Sequence, residues 1–114
     1  MQALNLNPQA IKAVRVMAMI DTGATTTVIC KGLATQLGIN PIGQTFINTP
    51  SSTNVKCLQF DIQILFPNNV NLQSVIVTEA PLQDQHIQCL IGRDILKHSV
   101  LVYTGYDNSF TLSF

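Results

Sequence analysis

The chain has 114 residues, 46% of them apolar and only 11% charged, with six basic side chains balancing six acidic ones. That balance supplies no basic surface for nucleic acid or an anionic membrane, and no apolar stretch reaches the ~18 residues of a membrane span. A chain of this length is expected to fold as one domain over residues 1–114, with a buried core and with apolar surface to spare for a second subunit.

Residues 1–12 carry no clear pattern and read as an N-terminal arm; they contain no basic segment followed by an apolar signal region. Beyond them, β-branched and aromatic runs predict strands at 13–20, 27–29, 42–48, 55–66, 71–78, 88–91, 100–103 and 110–114. Residues 31–37, with Leu33, Ala34 and Leu37 at helical spacing and Gly38 as a stop, predict a short helix. Residues 94–98 predict a helical turn with Asp94 near its start, where a carboxylate can accept backbone N–H groups. Pro67-Asn68-Asn69 and Gly105-Tyr106-Asp107-Asn108 are turn signals that join neighbouring strands. The polar run from Asn48 through Thr49, Pro50, Ser51 and Ser52 to Asn54 reads as a hairpin tip, either a plain surface loop or a flap. The fold class is mainly β.

Cys30, Cys57 and Cys89 are odd in number and lack a C-x-x-C pair, which argues against a disulfide framework and a zinc site. They read as reduced thiols of a cytoplasmic protein, or of a soluble domain of a larger one. His86, His98, Asp61, Glu79, Asp84 and Asp107 are scattered, and no Ser/His/Asp or Cys/His set can be assembled from them.

Asp21-Thr22-Gly23 occurs once, at the end of the apolar run Val14, Val16, Met17, Ala18, Met19, Ile20. Peptide hydrolysis by paired carboxylates needs two acids side by side, sharing one proton and activating one water. A chain with one copy must take the second acid from an identical partner. The bland alternative is that Asp21 caps a turn in a structural β-domain.

Three blocks carry a resemblance. They are Met19-Ile20-Asp21-Thr22-Gly23-Ala24-Thr25-Thr26-Thr27-Val28-Ile29, then Cys89-Leu90-Ile91-Gly92-Arg93-Asp94-Ile95-Leu96, then the ending Phe110-Thr111-Leu112-Ser113-Phe114. From residue 13 to residue 114 the chain resembles the retropepsin family, the retroviral-type aspartic proteases with their cellular and bacterial relatives. The resemblance implies a closed, barrel-like acid-protease fold with one or two short helices, holding half of a pepsin-type site and working as a homodimer. It implies an endopeptidase acting on extended polypeptides, with no metal, cofactor or covalent intermediate.

Residue by residue, the resemblance makes Asp21 the catalytic acid and gives Thr22 a bracing contact across the dimer axis. Gly23 would let the loop turn tightly and substrate backbone approach. Ala24 offers no hydroxyl to the carboxylate, so a mildly acidic optimum is expected rather than a strongly acidic one. Gly92 would leave room beneath the loop. Met19, Val28 and Leu90 match pocket-lining positions, although core packing explains each equally well. Thr49, Pro50, Ser51 and Ser52 would form the flap tip over a bound peptide.

The match has departures. Thr25 and Thr26 stand where retroviral members carry acidic residues that pair with the arginine of the second block. Arg93 therefore needs another partner, whether Asp94, a different carboxylate or a group across the dimer. The Thr-Pro-Ser-Ser tip replaces a glycine-rich one. These changes keep open a second reading, a weakly active or inactive retropepsin-like module for dimerisation or peptide binding.

Overall fold

The computed structural model describes residues 13–49, 52–67, 69–82 and 86–114. Eight strands and two short helices follow one another as β1 (Ala18–Ile20), β2 (Val28–Ile29), α1 (Leu33–Leu37), β3 (Gly43–Thr49), β4 (Ser52–Leu65), β5 (Asn71–Glu79), β6 (Cys89–Ile91), α2 (Arg93–Leu96), β7 (Val100–Thr104) and β8 (Ser109–Ser113). Six strands form one sheet in the order β1-β6-β2-β5-β4-β3, while β7 and β8 pair with each other in a separate ribbon. The sheet ends at β1 and β3, so the closed barrel-like form expected from the sequence is not reached among the described residues.

Side-chain alternation decides what the sheet buries. Ile29, Phe60, Val77, Cys89 and Ile91 from the strands meet Leu33, Ala34 and Ile95 from the two helices in one apolar cluster. The long β4 serves both of its neighbours. It pairs antiparallel with β3 from Gly43 opposite Gln59 to Thr49 opposite Ser52, and with β5 from Gln59 opposite Thr78 to Leu65 opposite Asn71. The β3–β4 hairpin tip at 50–51 and Asn68 lie outside the described residues, as does the expected arm at 1–12.

Several expected boundaries move for identifiable reasons. Only the end of the 13–20 run is laddered, because its partner β6 is three residues long. Before β1, the Met17 carbonyl accepts Gln88 N–H at 2.9 Å and the Gln88 side chain accepts Met17 N–H at 3.1 Å. Helix α1 begins two residues later than expected, since Gly32 holds φ 91°, and it stops as expected at Gly38, φ 72°. Both values lie in the left-handed region where glycine carries no Cβ penalty. Asn69 and Asn108 take positive φ at the two predicted hairpin turns, a conformation that asparagine tolerates better than most residues.

The β7–β8 ribbon runs from Val100 opposite Ser113 to Thr104 opposite Ser109. Val100, Val102, Tyr103 and Phe110 are all more than half exposed on it. At its far end the Phe114 ring tilts against Phe66, with centroids 5.3 Å apart. No helix among the described residues is long and apolar enough to cross a membrane.

Candidate active site

Asp21 follows β1 directly. Its N–H donates to the Ile91 carbonyl at 2.9 Å, carrying the parallel β1–β6 ladder one residue further. Period-two alternation therefore directs the Asp21 side chain to the face that carries Met19 rather than to the Ile20 side. The chain then turns at once: Gly23 N–H donates to Asp21 Oδ1 at 2.9 Å, and Ala24 N–H to the Asp21 carbonyl at 3.1 Å. One carboxylate oxygen caps this turn, and the other takes no hydrogen bond from the described residues. Asp21 is half-buried, whereas Thr22 and Gly23 beside it are exposed.

The second block lies under this loop and is fastened to it. Arg93 N–H donates to the Ala24 carbonyl at 2.8 Å. Gly92 N–H donates to Thr27 Oγ1 at 3.2 Å, and that hydroxyl donates to Asp94 Oδ1 at 2.8 Å. Asp94 Oδ2 accepts Thr27 N–H at 3.0 Å, while Oδ1 also accepts Ile95 N–H at 2.9 Å. Buried polar groups need partners, and the N–H and hydroxyl of the fully buried Thr27 find them in this network, while its carbonyl accepts Thr78 N–H at 3.1 Å. A Cβ on Gly92 would stand 2.6 Å from the Thr26 carbonyl carbon and oxygen, so the close approach of block and loop requires glycine. On Gly23 a Cβ would come to 3.3 Å from Asp21 Oδ1, crowding the carboxylate.

Met19, Leu90 and Val28 come together. Leu90 on the central β6 pairs with Met19 on one side and Val28 on the other, so the three side chains form a row across one face of the sheet. All three are at least partly accessible, in contrast to the buried Cys89, Ile91 and Ile29 on the opposite face. None of the three belongs to the apolar cluster beneath the sheet or to the residues packed against it. Of the flap-tip residues, Thr49 and Ser52 form the last backbone pair of the β3–β4 hairpin; Pro50 and Ser51 lie outside the described residues.

Two features escaped the sequence reading. Thr27 looks like an ordinary strand residue, yet it links the loop to Asp94 across 67 positions. Its only sequence signal is its place in the Asp-Thr-Gly block. Within the chain, Arg93 pairs with neither Asp94 nor another carboxylate of the described residues; its guanidinium Nη2 donates to Thr25 Oγ1 at 3.1 Å. Among the described residues no group of three or more His, Cys, Asp or Glu side chains could hold a metal ion. Cys30, Cys57 and Cys89 are free thiols, the last two buried. Burial, with Cys30 and Asp94 nearby, pushes the Cys89 thiol up to about 11.

The model of the family described as "gag-polyprotein putative aspartyl protease" matches residues 8–98. The crystal structure of a retropepsin-like aspartic protease from Rickettsia conorii is similar in fold, with a TM-score of 0.60 at 18% identity, covering 88% of this chain and 73% of that one. No curated protein matches. With most of its length matched by the family model and its fold shared with a retropepsin-like enzyme, the chain belongs to the retropepsin-like family of gag-polyprotein aspartyl proteases.

Proposed function

We propose that this chain is one half of an aspartic endopeptidase, a homodimer in which each subunit contributes Asp21. The observation that carries the reading is the setting of Asp21. A half-exposed carboxylate ends a strand on the face of the Met19–Leu90–Val28 row, on a loop held by hydrogen bonds to Ile91, Gly92, Arg93 and Asp94. Catalytic groups gain from such fixed placement, because orientation is settled before the substrate arrives.

Two such carboxylates in contact cannot both ionise, so the pair holds one proton. The ionised member takes a proton from water as that water attacks the peptide carbonyl. The protonated member donates to the carbonyl oxygen and stabilises the tetrahedral intermediate. Thr22, exposed next to Asp21, braces the loop of the second copy in this reading, and Gly23 leaves the approach to Asp21 open. Substrate lies extended between the β3–β4 hairpin, acting as a flap through Thr49 to Ser52, and the apolar row. Apolar side chains beside the scissile bond follow from that row.

The β7–β8 ribbon supports the dimer. An isolated two-stranded ribbon is marginal in water, and exposed Val100, Val102, Tyr103 and Phe110 gain by burial against a second copy.

The test is incubation with a peptide library at several pH values, alongside Asp21→Asn. Products from the native chain, lost in the variant while dimerisation persists, support the protease. Equal peptide binding by both proteins without products points to the binding module instead.

A further inference from the structure

Among the described residues, no carboxylate neutralises the charge of Arg93. Its backbone is tied to the Asp21 loop through the Ala24 carbonyl at 2.8 Å, and its guanidinium to the same loop through Thr25 Oγ1 at 3.1 Å. A hydroxyl accepts a hydrogen bond but cancels no charge. The nearest acid in sequence, Asp94, has both oxygens engaged by Thr27 and Ile95. Among the described residues no carboxylate forms an ion pair with Arg93. Both Arg93 and Thr25 are exposed.

A guanidinium carries five N–H donors in a planar fork that matches a carboxylate. One donor is engaged by Thr25, and Arg93 is exposed beside the loop that carries Asp21. From this placement we infer that Arg93 is a specificity-determining residue that recognises an acidic side chain of the substrate at a position flanking the scissile bond. The inference rests on the protease reading for its substrate and on the Arg93–Thr25 contact for its chemistry. The scissile bond itself lies at Asp21 among apolar contacts, so the acidic residue stands outside the central pair. Recognition at an exposed cation is screened by salt, which gives it a signature that apolar pockets lack.

The experiment uses peptides with one apolar cleavage site, in which Glu, Gln or Lys is scanned through the flanking positions. For the native chain, kcat/KM at one position is expected to be about 2- to 5-fold higher for Glu than for Gln, with Lys lowest. The difference should sit mainly in KM, because the contact forms equally in ground and transition states, and it should shrink as salt is raised to ~0.5 M. Arg93→Gln is expected to lose the preference and Arg93→Lys to retain part of it. Thr25→Asp, which gives the guanidinium a carboxylate of its own, should lose it while the arginine remains.

A preference unchanged in Arg93→Gln and Thr25→Asp, or no preference at any position in the native chain, overturns the inference. Binding of the same peptides to Asp21→Asn, read by fluorescence anisotropy, separates the two claims. Tighter Arg93-dependent binding of Glu peptides with no cleavage by the native chain would sink the protease and keep the acidic recognition. Cleavage indifferent to charge would do the reverse, and neither cleavage nor binding would overturn both.

Discussion

Asp94 takes both the backbone N–H and the hydroxyl of Thr27, at 3.0 Å and 2.8 Å, across 67 residues of sequence. Because the same hydroxyl accepts Gly92 N–H, this pair joins the Asp21 loop to the block beneath it.

Thr27→Val is therefore expected to cost about 1–3 kcal/mol, since the isosteric change opens no cavity but strands the Gly92 N–H and leaves Asp94 Oδ1 with the Ile95 N–H alone. Thr27→Ser keeps the hydroxyl and should cost less than Val. Urea denaturation of the two variants checks the order; a valine variant as stable as the serine one would mean that the methyl matters and the network does not.

Gly92→Ala should be worse than an ordinary surface change. Its Cβ meets backbone atoms of Thr26 at 2.6 Å, and backbone cannot swing aside as a flexible side chain can. Overpacking of this kind costs about 1–3 kcal/mol, and the displaced loop is the one that carries Asp21. Thermal unfolding and peptide cleavage should fall together. A variant that keeps the native melting temperature would show that loop and block separate more easily than their contacts indicate.

Cys89 gives a pH dependence that can be signed. Its thiol is raised from 9.0 to about 11 in the folded chain, chiefly by burial. Between these values the unfolded chain releases the proton and the folded chain keeps it, so stability is lost as pH rises from about 9 towards 11. The full loss is about 2–3 kcal/mol. Comparing urea midpoints at pH 8 and pH 10.5 in the native chain and in Cys89→Ala isolates this contribution from tyrosine ionisation. An equal alkaline drop in both proteins would assign it elsewhere.

Much of this architecture is legible in the sequence because its signals are local. Alternating β-branched runs gave β3 to β5, asparagine and glycine marked the turns, and Gly38 marked the end of α1. Met19, Val28 and Leu90 were singled out only through the resemblance; that they form one row depends on β6 lying between β1 and β2. What the sequence hides is long-range pairing. Thr27 has nothing in its neighbours to announce a carboxylate 67 positions away, and Arg93 could be given a partner only by assuming that charge seeks charge. The structure gives it Thr25, because the arginine backbone is anchored on Ala24 and the next hydroxyl is within reach. The open sheet is likewise a matter of which edges remain unpaired, and residue periodicity says nothing about that.

The central claim is that two copies complete one site, and mixing subunits tests it most directly. Native chain and Asp21→Asn are combined in varying ratio at fixed total concentration, allowed to exchange, and assayed on one peptide. If each working site needs an ionisable Asp21 from both copies, activity follows the square of the native fraction, leaving about a quarter at equal mixing. Activity that falls in simple proportion, with about half remaining, would contradict the shared site.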